Sequence, residues 1–153
     1  MKKILSILFV AVFCLACLPV VFADNASYQV VSQTIEYTPD GTPITITLSV
    51  QPHRTRSGAY IVNGKKDYSY GSDWTFTVYG SFSVNPGVSV TCSAATYGVA
   101  TYNYAWSKTA GTAYPSGATA IASGTMTEYH AGAAVRTVNP YITVSCDKNG
   151  NLY

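Results

Sequence analysis

Glu128 and His130 lie two residues apart. On a strand, such residues share a face, so the carboxylate could orient the imidazole as a general base. The following Ala131-Gly132 equally fits an exposed polar pair at a strand end. Cys92, Cys146, His53 and His130 are zinc-ligand types. They lack the short CxxC and HxxxH spacings that gather such ligands. The stretch Asp147-Lys148-Asn149-Gly150-Asn151 places oxygen groups at alternate positions, as a calcium loop does. An EF-hand loop needs glycine at its sixth position and glutamate at its twelfth. Here Gly150 is at the fourth position, and only Leu152 and Tyr153 follow Asn151. Asn149-Gly150 therefore reads as a hairpin turn before a short strand. No GxSxG elbow, HExxH helix, P-loop or GxGxxG motif is present. The expectation is a non-enzyme with no catalytic residue, no metal and no cofactor.

Binding chemistry has more material. His53, Arg54, Arg56, Lys65 and Lys66 form a basic cluster. It could meet anionic wall polymers or simply be a solvated loop and hairpin tip. The 13 tyrosines are the most unusual feature of the composition. Tyr68 and Tyr70 are in phase with each other, and Tyr102 and Tyr104 with Trp106. Tyrosines on a sheet face can stack on sugars or anchor a protein partner, and they also wall small cores. Tyr68 and Tyr70 are expected to be exposed, because they follow the charged stretch Asn63-Gly64-Lys65-Lys66-Asp67; Trp106 is expected in the core.

Strands must position these groups. The stretch WTFTVYGSFSV alternates an apolar face (Trp74, Phe76, Val78, Phe82, Val84) with a hydroxylated one (Thr75, Thr77, Tyr79, Ser81, Ser83). PITITLSVQ, VSVTC and YITVSC repeat the alternation, which sets Cys92 and Cys146 in phase with apolar faces. Turn signals fall at Pro39-Asp40-Gly41, Asn63-Gly64, Asn85-Pro86-Gly87, Pro115-Ser116-Gly117 and Ala131-Gly132. About eight strands are predicted, near 28–38, 43–51, 59–63, 73–84, 87–94, 98–107, 118–130 and 134–146, with no helix-period stripe. The fold class is all-β: a single-domain antiparallel β-sandwich, immunoglobulin-like in general architecture.

The N-terminus reads as a separate matter. MKKILSILFVAVFCLACLPVVFA has the charged, apolar and small-residue layout of a secretory signal peptide. Val21 and Ala23 suit cleavage between Ala23 and Asp24; a retained anchor and lipidation at Cys17 are the alternatives. Cleavage removes residues 1–23 and leaves one domain, 24–153. Nine basic residues minus Lys2 and Lys3 then balance seven acidic ones. That argues against a nucleic-acid partner, which demands a basic excess. No membrane span remains after cleavage. Of four cysteines, Cys92 and Cys146 survive, and export to an oxidising space favours a disulfide between them.

Cys92, Trp106 and Cys146 follow in the order of an immunoglobulin domain, but Val144 stands where that fold places a tyrosine. The stretch WTFTVYGSFSVNPGVSVTCSAATYG, then Trp106, then YITVSCDKNGNLY resembles a loose group of small secreted proteins of Gram-positive bacteria. Those proteins share a strand ending Gly-x-Phe, a following cysteine and a final Cys-Asp-x-Asn-Gly. The resemblance covers residues 73–153 and the signal peptide, and implies compartment and fold but no activity. The expected function is a secreted binding or interaction module at or outside the cell surface. Its partner would be a cell-wall glycan or a surface protein. A secreted antimicrobial or toxin-like protein and a small extracellular hydrolase are the alternatives.

Overall fold

The computed structural model describes residues 27–52 and 58–153. The expected cleavage site at Ala23 and Asp24, and His53, Arg54 and Arg56 of the basic cluster, lie outside the described residues. The described chain contains strands and turns and no helix. The strands are β1 (Gln29–Tyr37), β2 (Pro43–Val50), β3 (Tyr60–Tyr70), β4 (Trp74–Asn85), β5 (Ser89–Thr101), β6 (Trp106–Ser116), β7 (Thr119–His130), β8 (Ala133–Val138) and β9 (Tyr141–Ser145).

Two antiparallel sheets result. The first has five strands in the order β1-β2-β3-β4-β5, each hydrogen-bonded to its sequence neighbour. In the second, β6 pairs with one edge of β7, while β8 and β9 share the other edge. Gly124 N donates to Pro140 O at 3.0 Å in the gap between β8 and β9, so the broken edge stays hydrogen-bonded. The two-sheet layout is sandwich-like. The first sheet is a meander, which departs from the Greek-key order of immunoglobulin domains.

Period-two alternation explains which residues meet. Trp74, Phe76, Val78, Phe82 and Val84 of β4 are all fully buried. Ala120, Ala122 and Met126 of β7 and Ile142 and Val144 of β9 join them in one core between the sheets. Phe76 and Tyr97 stack at 5.5 Å between ring centres. The room they need comes from the opposite sheet: a Cβ on Gly124 would stand 2.5 Å from the Phe76 ring, and one on Gly111 2.7 Å from Tyr97.

The opposite face of the first sheet satisfies much of its polarity internally. Thr77 Oγ1 donates to Asp67 at 2.6 Å, Ser81 Oγ to Asn63 at 2.8 Å, and Lys65 Nζ pairs with Asp67 at 2.7 Å.

Several boundaries differ from the sequence expectation. Asn63-Gly64 is no turn: β3 runs unbroken through it and pairs with β4 along its whole length. Glycine leaves room there for Leu152, whose methyl lies 2.3 Å from where a Cβ would stand. The turn lies at Gly71 instead, where φ is 53°. The Cys92 strand continues to Thr101, Trp106 starts a separate strand, and the expected strand 134–146 is split at Asn139-Pro140. Nine strands thus replace eight among the described residues. Cys92 and Cys146 both face the core, where they stand as two buried thiols.

Candidate functional site

The link between the sheets carries the most exposed aromatic pair. Tyr102 and Tyr104 sit between β5 and β6, 70% and fully exposed respectively. Their backbone is held firmly. Tyr102 N and Asn103 N both donate to Asp73 O, at 2.8 and 3.1 Å. Asn103 Nδ2 donates to Asp73 Oδ1 at 3.0 Å, and Asn103 Oδ1 accepts from Ala105 N at 3.0 Å, an Asx turn. Trp106 N closes the turn onto Asn103 O at 3.1 Å. The second sheet joins in, with Tyr129 N donating to Ala105 O at 2.8 Å. Asn103 is the residue that ends the predicted alternation: its side chain competes for the backbone and turns the chain. Tyr102 and Tyr104 therefore leave the phase of Trp106 and project outward.

Trp106 packs inward, as expected, into an aromatic cluster under this turn. Its ring lies 5.8 Å from Trp74 and 5.4 Å from Tyr70, centre to centre. Tyr70 stacks on Trp74 at 5.2 Å, nearly parallel, and Tyr68 stacks on Trp74 at 5.7 Å. Neither indole N–H has a partner among the described residues, so packing alone holds both rings. Tyr70 is only 3% exposed, against the expectation of an exposed ring. It sits on the apolar phase of β3, opposite Ile44 and Trp74, because β3 does not turn at Gly64. Tyr68 is half-buried on the same face.

Sequence reasoning missed Arg136. Its Nη1 donates to Tyr70 Oη at 2.8 Å and to Asp40 Oδ2 at 2.9 Å, and its Nε lies 3.5 Å from Glu128 Oε2. This joins β8 to the β1–β2 turn and to β3. Glu128 is thus directed to a guanidinium, and a register shift separates it from Tyr129 and His130.

The basic cluster is divided. Lys65 points to the polar face, paired with Asp67 and over the Tyr28 ring at 5.6 Å. Lys66 occupies the opposite phase of β3, between Leu48 and Val78, where burial lowers its pKa.

The thiols lie beside the β6–β7 turn. Cys92 N donates to Gly117 O at 2.8 Å, and Cys146 N donates to the adjacent Ala118 O at 3.0 Å. Burial, then Asp147 and Cys92, push the Cys146 thiol up to about 11. A thiol so protonated at neutral pH is a poor nucleophile.

Asp147 closes the turn it begins. Its Oδ1 accepts from Asn149 N and Asn151 N at 2.8 and 2.9 Å, and its Oδ2 accepts from Asn151 Nδ2 at 2.9 Å. Gly150 has a φ of 87°, and Cys146 bridges to Leu152, so this is a turn with a short return strand. Among the described residues no group of three or more His, Cys, Asp and Glu could hold a metal ion. The chain matches no protein-family model, no curated protein and no solved structure.

Proposed function

We propose that the protein is a secreted, non-enzymatic binding module that acts at or outside a bacterial cell surface through Tyr102 and Tyr104. One observation carries this reading: two large rings stand in solvent on a turn pinned from both sheets. An anchor that keeps its conformation when free loses little entropy on binding, and tyrosine offers wide apolar area with a polar tip. Enzymatic readings draw no support from the groups at hand. Glu128 is engaged by Arg136, and Cys146 is buried beside Cys92, either as a weakly ionised thiol or, once exported, as half of a bond. Export rests on the signal-peptide layout of residues 1–23.

Co-sedimentation of the exported protein with whole Gram-positive cells tests the reading. Wild-type protein is expected in the pellet. The double variant Tyr102→Ala/Tyr104→Ala should remain in the supernatant while melting at nearly the wild-type temperature, as exposed substitutions do. Equal retention of variant and wild type would discard the site.

The same reading includes a Cys92–Cys146 disulfide formed on export. Support comes from adjacent carbonyls, Gly117 O and Ala118 O, anchoring the two backbones, and from the influence of Cys92 on Cys146.

A further inference from the structure

The outward face of the second sheet differs from that of the first. Its rows can be read across the strands: Thr112 on β6 faces Ser123 on β7, which faces Tyr141 on β9. The next row is Tyr114, Ile121 and Thr143. Tyr141 is 63% exposed and Tyr114 47%. Strand spacing sets the two rings about 10 Å apart across the sheet and one row, about 7 Å, apart along it.

Next to Tyr141 lies a shallow depression of about 220 Å3, lined by Ala110, Gly111, Thr112, Ser123, Gly124 and Thr125. It forms where Gly111 and Gly124 stand opposite each other and their neighbours are small. The depression is open to solvent and shallow. That suits a sugar ring.

Two properties of this face select a ligand. First, none of the residues in these rows or lining the depression is charged, whereas the outward face of the first sheet carries Lys65 and Asp67. A phosphate-rich or anionic polymer would find no counter-charge here. Second, the hydroxyls of Thr112, Ser123 and Thr125 have no protein partner among the described residues. They are open to an external donor or acceptor, unlike the Ser81–Asn63 and Thr77–Asp67 pairs of the first sheet. Exposed flat rings beside free neutral hydroxyls match the alternating C–H faces and hydroxyl edges of a sugar chain.

We infer that the face formed by Tyr114, Tyr141, Thr112 and Ser123 binds a neutral polysaccharide, with the two rings stacking on sugars at adjacent edges of the depression. This surface is separate from the Tyr102–Tyr104 turn, and each can fail without the other.

Affinity electrophoresis of the exported protein through gels containing hydroxyethylcellulose, soluble starch or mannan tests it, with polygalacturonate as the anionic comparison. Retardation by at least one neutral polymer is expected. Tyr114→Ala and Tyr141→Ala should each weaken it roughly tenfold, the size of effect of losing an anchoring ring. Thr112→Val, which keeps shape and removes the hydroxyl, should weaken it less, and Tyr102→Ala/Tyr104→Ala should leave it unchanged. Melting temperatures confirm that the variants fold. Retardation by polygalacturonate alone, by none of the polymers, or undiminished in Tyr114→Ala/Tyr141→Ala would overturn the inference. Loss confined to Tyr102→Ala/Tyr104→Ala would move the sugar site to the turn and also overturn it.

Discussion

Two tyrosines show how one residue type serves opposite ends. Tyr70 is sealed between Trp74 and Trp106, with its hydroxyl accepting from Arg136. Tyr104 touches almost nothing. Thermal unfolding should separate them. Tyr70→Ala is expected to cost roughly 3–5 kcal/mol, as large aromatic truncations in cores do, and Tyr70→Phe about 1 kcal/mol for the lost hydrogen bond. Tyr104→Ala should cost almost nothing. Asp147 supplies a pH signature. Hydrogen bonds from Asn151, then the backbone of the turn, hold its carboxyl below the ordinary value of 3.8. A carboxylate with a depressed folded pKa adds stability above its unfolded pKa, and that stability fades as pH falls through the folded value. Unfolding curves recorded below pH 3.8 should therefore lose a component that Asp147→Asn lacks. Because the turn satisfies Asp147 from within, calcium or a chelator should leave the melting temperature unchanged.

At the scale of elements, β3 and the cysteines invite separate tests. Gly64→Ala places a methyl where Leu152 packs, so the Leu152 side chain must shift. Such overpacking typically costs about 1–3 kcal/mol, and the Leu152 methyl resonances should move by NMR. If Cys92 and Cys146 join, the closed loop stabilises the fold by roughly 4 kcal/mol in the chain-entropy model. Non-reducing peptide mapping should recover the pair, and reduced protein should melt earlier. Alkylation of reduced, folded protein should be slow, since Cys146 ionises only near pH 11.

The strand faces were legible because alternation at β4 and β9 reflects burial directly. The interior of β3 was not, because Asn63-Gly64 has the composition of a turn and only the distant Leu152 uses the room that glycine leaves there. The Tyr102–Tyr104 turn was hidden for the same reason. Its determinant, Asp73, lies on another hairpin, and the pairing of Asp73 with Asn103 is invisible in a local window. Tyr114 and Tyr141 give no signal of their own, because a ring on a strand does not declare which side of the sheet is wet.

For the whole molecule, the apolar core between the sheets is supplemented by polar ties from one sheet to the other. Arg136 ties β8 to the β1–β2 turn and to Tyr70. Arg136→Ala should loosen that edge, leaving a buried tyrosine hydroxyl unpaired at a cost of roughly 1–3 kcal/mol. Protection from hydrogen exchange should fall first in β1 and β8.

The meander of the first sheet also fixes an order in time. Every pairing from β1 to β5 joins sequence neighbours, so each closes a short loop at small entropic cost. The second sheet offers only two such adjacent hairpins, β6–β7 and β7–β8; β9 must fold back past β8 to reach the start of β7. Folding rate follows the locality of contacts. Pulse-labelled refolding should therefore show amides of β3 and β4 protected before those of β9. The aromatic core would then wait, half-covered, for the second sheet to arrive. That interval is when the apolar face of β4 stands open to other chains, so refolding yield should fall as protein concentration rises, at concentrations where the native protein stays in solution.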